Sequence, residues 1–163
     1  MFFKTSILNL FVFSFLILFC SNVLCKNIKV KIIKIIDGDT VVARTINNKK
    51  LKIRLAGIDA PERDQPYGIK STNYLKKIIF SKIVNIHLTS KDKYKRSLGI
   101  IFYKKTNINL DLVSSGNAWA YRKYLKKMGK KLEEAFIRAE SNAQYYKLGL
   151  WNNLSPTPPW TWR

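Results

Sequence analysis

Histidine, cysteine and acidic side chains are scarce in this sequence of 163 residues. A single histidine, His87, excludes any mechanism or metal site that needs two of them. The two cysteines, Cys20 and Cys25, exclude a scaffold of several disulfides and a four-cysteine zinc site. Ten acidic residues stand against 30 lysines and arginines, which gives a net charge of +20. So large an excess of one sign predicts a polyanion or an anionic surface as the partner.

The first 25 residues have the pattern of a secretory signal peptide. Met1–Lys4 is basic, Ile7–Phe19 is almost wholly apolar, and the small residues Val23 and Cys25 lie just before the expected cleavage point. The apolar run is shorter than the about 20 residues that a membrane-spanning helix needs. We therefore predict a signal peptide over residues 1–25, cleaved near Cys25, and an exported protein, periplasmic or secreted. An uncleaved membrane anchor is the alternative.

The chain that remains after cleavage must fold without a disulfide. It contains no cysteine, and the loss of Lys4, the only charged side chain before Lys26, lowers the net charge from +20 to +19. Hydrophobic residues make up 47% of the sequence, which is enough for one domain with a core of its own. We expect this domain over residues 26–154 and a tail rich in proline and tryptophan over residues 155–163.

Alternating apolar residues predict five short β-strands. The strands are expected over residues 28–36, 40–46, 51–55, 83–88 and 98–103. Helical spacing is found from Ser71, over residues 110–115, and from Leu132 to a stop at Gly149. This pattern fits an α+β fold that is mainly β, a five-stranded oligonucleotide-binding (OB) barrel with about three packed α-helices. The three prolines of the tail exclude a helix or a central strand there.

The few acidic side chains are clustered, with five of the ten between residues 37 and 64. Asp39 ends the turn after the first predicted strand, and Asp59 follows the third, so adjacent strand ends of a meander bring both within reach of one ion. Carboxylates without histidine or cysteine favour Ca²⁺ or Mg²⁺ over zinc. The alternative is that the Asp37-Gly38-Asp39 and Asp59-Ala60-Pro61-Glu62 segments are simple turns in which the acids cap the backbone.

Five segments, in order and spacing, resemble the staphylococcal nuclease-like, or thermonuclease, family. The matching segments are Ile36–Val41, Ile53–Glu62, Gln65–Gly68, Asp92–Arg96 and Gly149–Trp151. The resemblance extends from about Val30 to Trp151, and Pro158–Arg163 is similar to a tail of bacterial members, with Thr161 in place of the usual acid. It implies an OB-type barrel that hydrolyses phosphodiester bonds of DNA and RNA with Ca²⁺ and with little sequence specificity. No protein partner is implied, and we expect a monomer.

The resemblance also implies roles for individual residues. Asp39 and Asp59 match the calcium carboxylates, Ala60 matches a residue that binds the ion through its backbone carbonyl, and Glu62 matches the glutamate on the attacking water. Two further pairs match substrate-contacting positions. The pairs are Arg54 and Arg96, which clamp the phosphate, and Lys93 and Tyr94, which contact the nucleotide.

Three points stay open. Lys95 stands where the family commonly has glycine, so a loop that needs a positive φ there carries a strain of order 1 kcal/mol or more. Tyr121 and Tyr124 both match an aromatic wall, without a choice between them. Tyr94 stacks on a base or lies on the barrel.

Two other functions compete with a nuclease. The same barrel serves as a non-catalytic nucleic-acid-binding module in some larger proteins, although such copies usually lose an acid or an arginine of the site. A basic exported protein that acts on anionic membranes explains the charge of +19, but it leaves the clustered acids without a role. The lone His87 falls within the strand pattern of residues 83–88, where we expect a structural role.

Overall fold

The computed structural model describes residues 26–163, so the predicted signal peptide lies outside the described residues. The strands are β1 Lys26–Ile35, β2 Thr40–Thr45, β3 Lys50–Leu55, β4 Ile58–Asp59, β5 Ile83–Lys91, β6 Ser97–Tyr103, β7 Thr106–Asn107 and β8 Trp119–Ala120. The α-helices are α1 Gly68–Ile79, α2 Ile108–Ser114, α3 Arg122–Leu125, α4 Lys130–Tyr145 and α5 Pro159–Trp162. Short 3₁₀ helices lie at Lys126–Met128 and Gly149–Asn152.

The barrel is closed by five strands. β1, β2 and β3 form the predicted antiparallel meander, and β1 also pairs with β5, which pairs with β6. A short parallel pairing, which aligns Arg54 of β3 with Leu98 of β6, joins the two edges. The five strands therefore form a mixed closed barrel of the expected OB type, which removes the open edges of a sheet.

The core lies inside the barrel and beneath the helices packed on it. Alternate side chains of the strands point inward, such as Val41 and Ala43 of β2, which are both fully buried. The helices add their apolar faces, with Leu75 of α1 and Phe136 of α4 fully buried. This packing joins the helices to the barrel and fixes the loops between them.

The loops at one end of the meander are tied to each other by backbone hydrogen bonds. Leu55 N–H at the end of β3 donates to the carbonyl of Asp39, at 2.8 Å. Thr40 at the start of β2 is aligned with Arg54. β4 then pairs with β8, which aligns Asp59 with Trp119. The ends of β1 to β4 therefore bring the acidic segments predicted from the sequence to one place.

Two expectations about the aromatic and proline-rich parts were wrong. Residues 159–162 form a single helical turn, because Pro159 stands at its first position, where its missing N–H has no partner to lose. Tyr145 and Tyr146, which sequence reasoning would assign to core or packing positions, do not lie in the core: they are 79% and 67% exposed at the end of α4 and contact each other edge-on. Among residues 26–163, no helix has the length and apolar character required to cross a membrane.

Candidate active site

Arg54 is the centre of the acidic cluster. One terminal nitrogen of its buried guanidinium donates to the carbonyls of Leu55 and Ile58, at 2.8 and 2.9 Å. The other lies 2.7 Å from Asp59 Oδ1 and 3.0 Å from Asp39 Oδ2. One nitrogen thus holds both carboxylates that were predicted to converge, so Asp39 and Asp59 face the same point.

Asp39 is buried and receives several hydrogen bonds. Its Oδ1 accepts from the Thr40 hydroxyl at 3.0 Å, and its Oδ2 accepts from the Ala60 N–H at 2.8 Å. Burial raises the pKa of Asp39 to about 7, and the negative charges of Asp37 and Asp59 act in the same direction, against the lowering effect of Arg54. A pKa near neutrality therefore indicates that the contact with Arg54 does not fully offset the loss of hydration at this carboxyl.

Asp59 and Glu62 share a second guanidinium, that of Arg163. Arg163 Nη2 lies 2.6 Å from Asp59 Oδ2, and its Nη1 lies 2.7 Å from Glu62 Oε1. The side chain of Asp59 is fully buried, whereas that of Glu62 is 31% exposed and stands at the mouth of the cluster. Gln65 Oε1 accepts the Glu62 backbone N–H at 3.1 Å and so fixes the start of this loop.

Sequence reasoning missed Arg163. It lies 104 residues from Asp59 along the chain, in a segment of prolines and tryptophans that was assigned no part in the site. The only pointer to it in the sequence is the similarity of residues 158–163 to a tail of other family members. In the structure its guanidinium forms ion pairs with Asp59 and Glu62, two of the predicted site residues.

The three acids have a donor set that suits a hard divalent cation. When all three are ionised, Asp39, Asp59 and Glu62 carry three negative charges against the two positive charges of Arg54 and Arg163, so one negative charge remains. All the donors are carboxylate oxygens, which Ca²⁺ and Mg²⁺ prefer. Within residues 26–163, no group of three or more His, Cys, Asp or Glu side chains is arranged around a metal position. The carboxylates turn toward guanidinium groups instead.

The loop between β5 and β6 carries the other predicted substrate residues. Arg96 Nε bonds to Asp92 Oδ2 at 2.6 Å, and its guanidinium lies 5.5 Å from the centre of the Tyr94 ring. Lys93 Nζ lies 4.9 Å from the same ring. The contacts of Arg96 therefore lie within its own loop, and the structure does not join it to the acidic cluster. The β3–β6 pairing nevertheless brings this loop beside Arg54, since Leu98 is two residues from Arg96.

Lys95 has the positive φ that the glycine common at this position in the family suggested. Its φ is +62°, in the left-handed region that glycine adopts at little cost. A lysine there costs of order 1 kcal/mol. Asp92 offsets this strain, because its Oδ1 accepts the N–H groups of Tyr94 and Arg96, both at 2.9 Å. The loop thus holds its shape with hydrogen bonds of its own.

Of the two candidate wall residues, Tyr121 lies beside the acids. Burial raises the pKa of Tyr121, and the negative charge of Asp59 adds to this effect. The ring of Trp160 stacks on it, with 5.4 Å between centroids and 4° between planes. Tyr124 contacts Tyr121 edge-on from the other direction and is 42% exposed.

An exposed basic surface runs along the outer face of the meander. We call it the basic ridge; its members are Lys31, Lys34, Arg44, Lys50 and Lys52. Lys31, Arg44 and Lys50 are aligned across three neighbouring strands, so like charges stand directly opposite each other. Such pairs destabilise a sheet unless an anion lies across them. No ion pair within the described part of the chain involves any of the five.

Comparison with known proteins places this chain in a family. The family model described as "Staphylococcal nuclease homologue" matches residues 52–153. The chain belongs to the staphylococcal nuclease family. It is 41% identical over 133 residues to an "Uncharacterized endonuclease" of Haemophilus influenzae, covering 82% of this chain and 71% of the relative. It is also 34% identical over 142 residues to the "Micrococcal nuclease" of Shigella flexneri, covering 82% and 79%.

These comparisons confirm the family and the hydrolase class that were expected from the sequence, and the OB-type barrel agrees with this family. A further relative, an "Uncharacterized endonuclease" of Escherichia coli O157:H7, is 34% identical over 149 residues and matches 91% of this chain and 93% of its own length. The alignment to it therefore covers nearly the whole of both chains.

Proposed function

We propose that this nuclease is an exported, Ca²⁺-dependent enzyme that hydrolyses phosphodiester bonds of DNA and RNA with little sequence specificity. The single observation that carries the proposal is the convergence of Asp39 and Asp59 on one nitrogen of Arg54, with Glu62 at the mouth of the same cluster. A non-catalytic binding module has no need of three acids on a surface that must attract an anion. The retained acids favour the enzyme.

Asp39 and Asp59 would hold the cation, together with the backbone carbonyl of Ala60. The raised pKa of Asp39, which is due mainly to burial, fits this assignment, because a bound cation would favour the charged carboxylate over the neutral acid. When bound, Ca²⁺ supplies neutralisation of a phosphate oxygen and polarisation of the phosphorus centre. The donors are hard oxygens in a loop-built site, which predicts weak calcium binding.

Arg54 and Arg96 would stabilise the charge that develops on the phosphate as water attacks it. Guanidinium groups suit this task because each presents a planar fork of donors to the oxygens of a phosphate. Both terminal nitrogens of Arg54 are already held by two carbonyls and two carboxylates, so Arg54 would have to exchange some of these contacts for the phosphate. Arg96 would have to exchange its Asp92 contact for the substrate. Loss of one such donor typically reduces the rate by about 10²–10³.

Glu62 is the best-placed group to orient the attacking water and to accept its proton. It is the most exposed of the three acids, and its backbone is fixed by Gln65. His87 is not part of this arrangement, since it lies in β5 with its Nδ1 2.7 Å from Asn27 Oδ1. General base catalysis of this kind contributes about 10²–10⁴ to a rate.

Nucleic acid as the substrate is supported by the charge of the whole chain and by the basic ridge. Successive outward residues of β3 are Lys50, Lys52 and Arg54, so the ridge leads along one strand to the acidic cluster. Alternate residues of a strand are about 7 Å apart, similar to the spacing of phosphates along one strand of a nucleic acid. Contacts of this kind follow the backbone and do not read the bases.

A nuclease assay with controlled Ca²⁺ tests the proposal. Purified protein should degrade single-stranded DNA and RNA when Ca²⁺ is present and stop when a chelator removes it. Persistent cleavage in chelator would exclude the metal role. Binding of either polymer without cleavage at any Ca²⁺ concentration would instead support the non-catalytic module.

A further inference from the structure

Arg163 stands where the proposed function needs a cation. The segment over residues 155–163, which we call the strap, passes over the acidic cluster and ends with this guanidinium on Asp59 and Glu62, at 2.6 and 2.7 Å. Its Nη1 is also 3.4 Å from Asp59 Oδ1. Asp59 is expected to bind the cation and Glu62 to activate water, and the Arg163 side chain contacts both acids.

The strap is attached to the protein at several points before it reaches the acids. The Gln65 side-chain amide donates to the carbonyl of Thr157, and Pro159 is buried. Trp160 stacks on Tyr121 and meets Trp119 edge-on at 5.5 Å. Arg163 is therefore delivered to the cluster by a built contact, while its own side chain stays 46% exposed and has room to move away.

Arg163 and a divalent cation compete for the same oxygens. Asp59 Oδ1 accepts from Arg54, and Asp59 Oδ2 accepts from Arg163, so both oxygens of this fully buried carboxylate are already in use. With Arg163 in place the three acids keep one uncompensated negative charge. Without it they keep two, which is the charge that a divalent ion neutralises. A cation also suffers direct repulsion from a guanidinium at this distance.

We propose that Arg163 is the internal counter-ion of the site and determines how tightly the site binds a divalent cation, which binds by displacing the guanidinium from Asp59 and Glu62. This inference rests on the proposed function, since it takes Asp59 and Glu62 as the site of the cation. In the cation-free protein Arg163 neutralises two acids that would otherwise repel each other. The strap thereby holds the site closed until the cation concentration is high enough.

Calorimetric titration of purified protein with Ca²⁺ tests the inference without any assay of activity. Arg163→Gln should lower the apparent dissociation constant by about tenfold or more, which corresponds to a guanidinium that occupies the acids about nine-tenths of the time. Arg138→Gln is the matched control, because Arg138 is an exposed arginine on α4 whose ion pair with Glu134 lies outside the cluster. Its dissociation constant should equal that of the unaltered protein.

Equal affinity in Arg163→Gln and Arg138→Gln would overturn the inference and leave the proposed function intact. Weaker binding in Arg163→Gln would also overturn it, because Arg163 would then hold the acids in place for the cation. The absence of Ca²⁺ binding in every form would overturn both proposals. These outcomes separate the two proposals in one experiment.

Thermal unfolding gives a second readout if Arg163→Gln folds poorly. Arg163→Lys keeps the positive charge but not the fork that contacts two acids. Its affinity for Ca²⁺ should therefore lie between that of the unaltered protein and that of Arg163→Gln. Without cation, each Arg163 variant should have a lower melting temperature than the unaltered protein. Saturating Ca²⁺ should raise the melting temperature of each variant by more than it raises that of the unaltered protein. A purely structural role predicts a lower melting temperature with an unchanged gain, and that result would contradict the inference.

Discussion

At the scale of single residues, Glu62 decides between an enzyme and a binding module. Glu62→Gln removes the proton acceptor and changes the shape of the site little. We expect the rate of DNA cleavage at saturating Ca²⁺ to fall by about 10²–10⁴. Binding of a labelled single strand in chelator, measured by fluorescence anisotropy, should be nearly unchanged.

Glu134→Gln is the control for this prediction, since it makes the same change of charge on the exposed face of α4. It should leave both cleavage and binding as they are. Loss of cleavage and binding together in Glu62→Gln would point to a folding defect. Retention of full activity would exclude Glu62 as the base.

At the scale of elements, the basic ridge on β1, β2 and β3 should contact the phosphate backbone. The triple variant Lys31→Gln, Arg44→Gln and Lys50→Gln removes the row of opposed charges. For a single strand each lost phosphate contact lowers the slope of log affinity against log salt by about 0.7, so we expect a decrease of about two. The measurement is binding of a labelled oligonucleotide in chelator over a series of salt concentrations.

A second triple variant separates contact from net charge. Lys127→Gln, Lys130→Gln and Lys131→Gln remove the same charge from exposed positions in the 3₁₀ helix after α3 and at the start of α4. Their slope should stay close to that of the unaltered protein, because a distant charge contributes field and few released counterions. Equal decreases in both variants would show that the ridge has no special part in binding.

At the scale of the whole molecule, the signal-peptide pattern of residues 1–25 predicts export. When the full chain is produced in a bacterial host, the exported fraction should contain a protein whose mass is that of a chain beginning at Lys26. Phe15→Arg, which interrupts the apolar run, should leave the uncleaved chain in the cell. A 19.0 kDa chain recovered from the membrane would favour the uncleaved anchor instead.

The sequence predicted those parts of the fold that depend on short-range order. The alternation in β1, β2 and β3 gives the meander, and the meander places Asp39 near Asp59, because the start of β2 lies beside the end of β3. Contacts between residues far apart in the chain leave weaker signals in the sequence. The exposure of Tyr145 depends on how the end of α4 packs in the folded protein, which no local pattern records.

The strap was beyond sequence reasoning for a similar reason. Proline was taken to exclude a helix there, although at the first position of a helix it fits. The contact of Arg163 with Asp59 depends on the route of the chain over the finished barrel, which local periodicity does not encode. The charge excess also hid this arginine, since one cation among 30 lysines and arginines carries no distinguishing mark.

The bonding of Arg54 has a consequence for how inactive relatives of this barrel would arise. Its guanidinium contacts two main-chain carbonyls and two buried carboxylates, so its loss would take one partner from each of four buried acceptors. Removal of one partner from a buried pair costs about 3–5 kcal/mol, a large share of the stability of a small domain. Glu62 is partly exposed, so its loss would cost much less stability. Retention of the central arginine is therefore a mark of intact architecture, and the glutamate at the rim is the position to inspect when judging whether a copy still cuts.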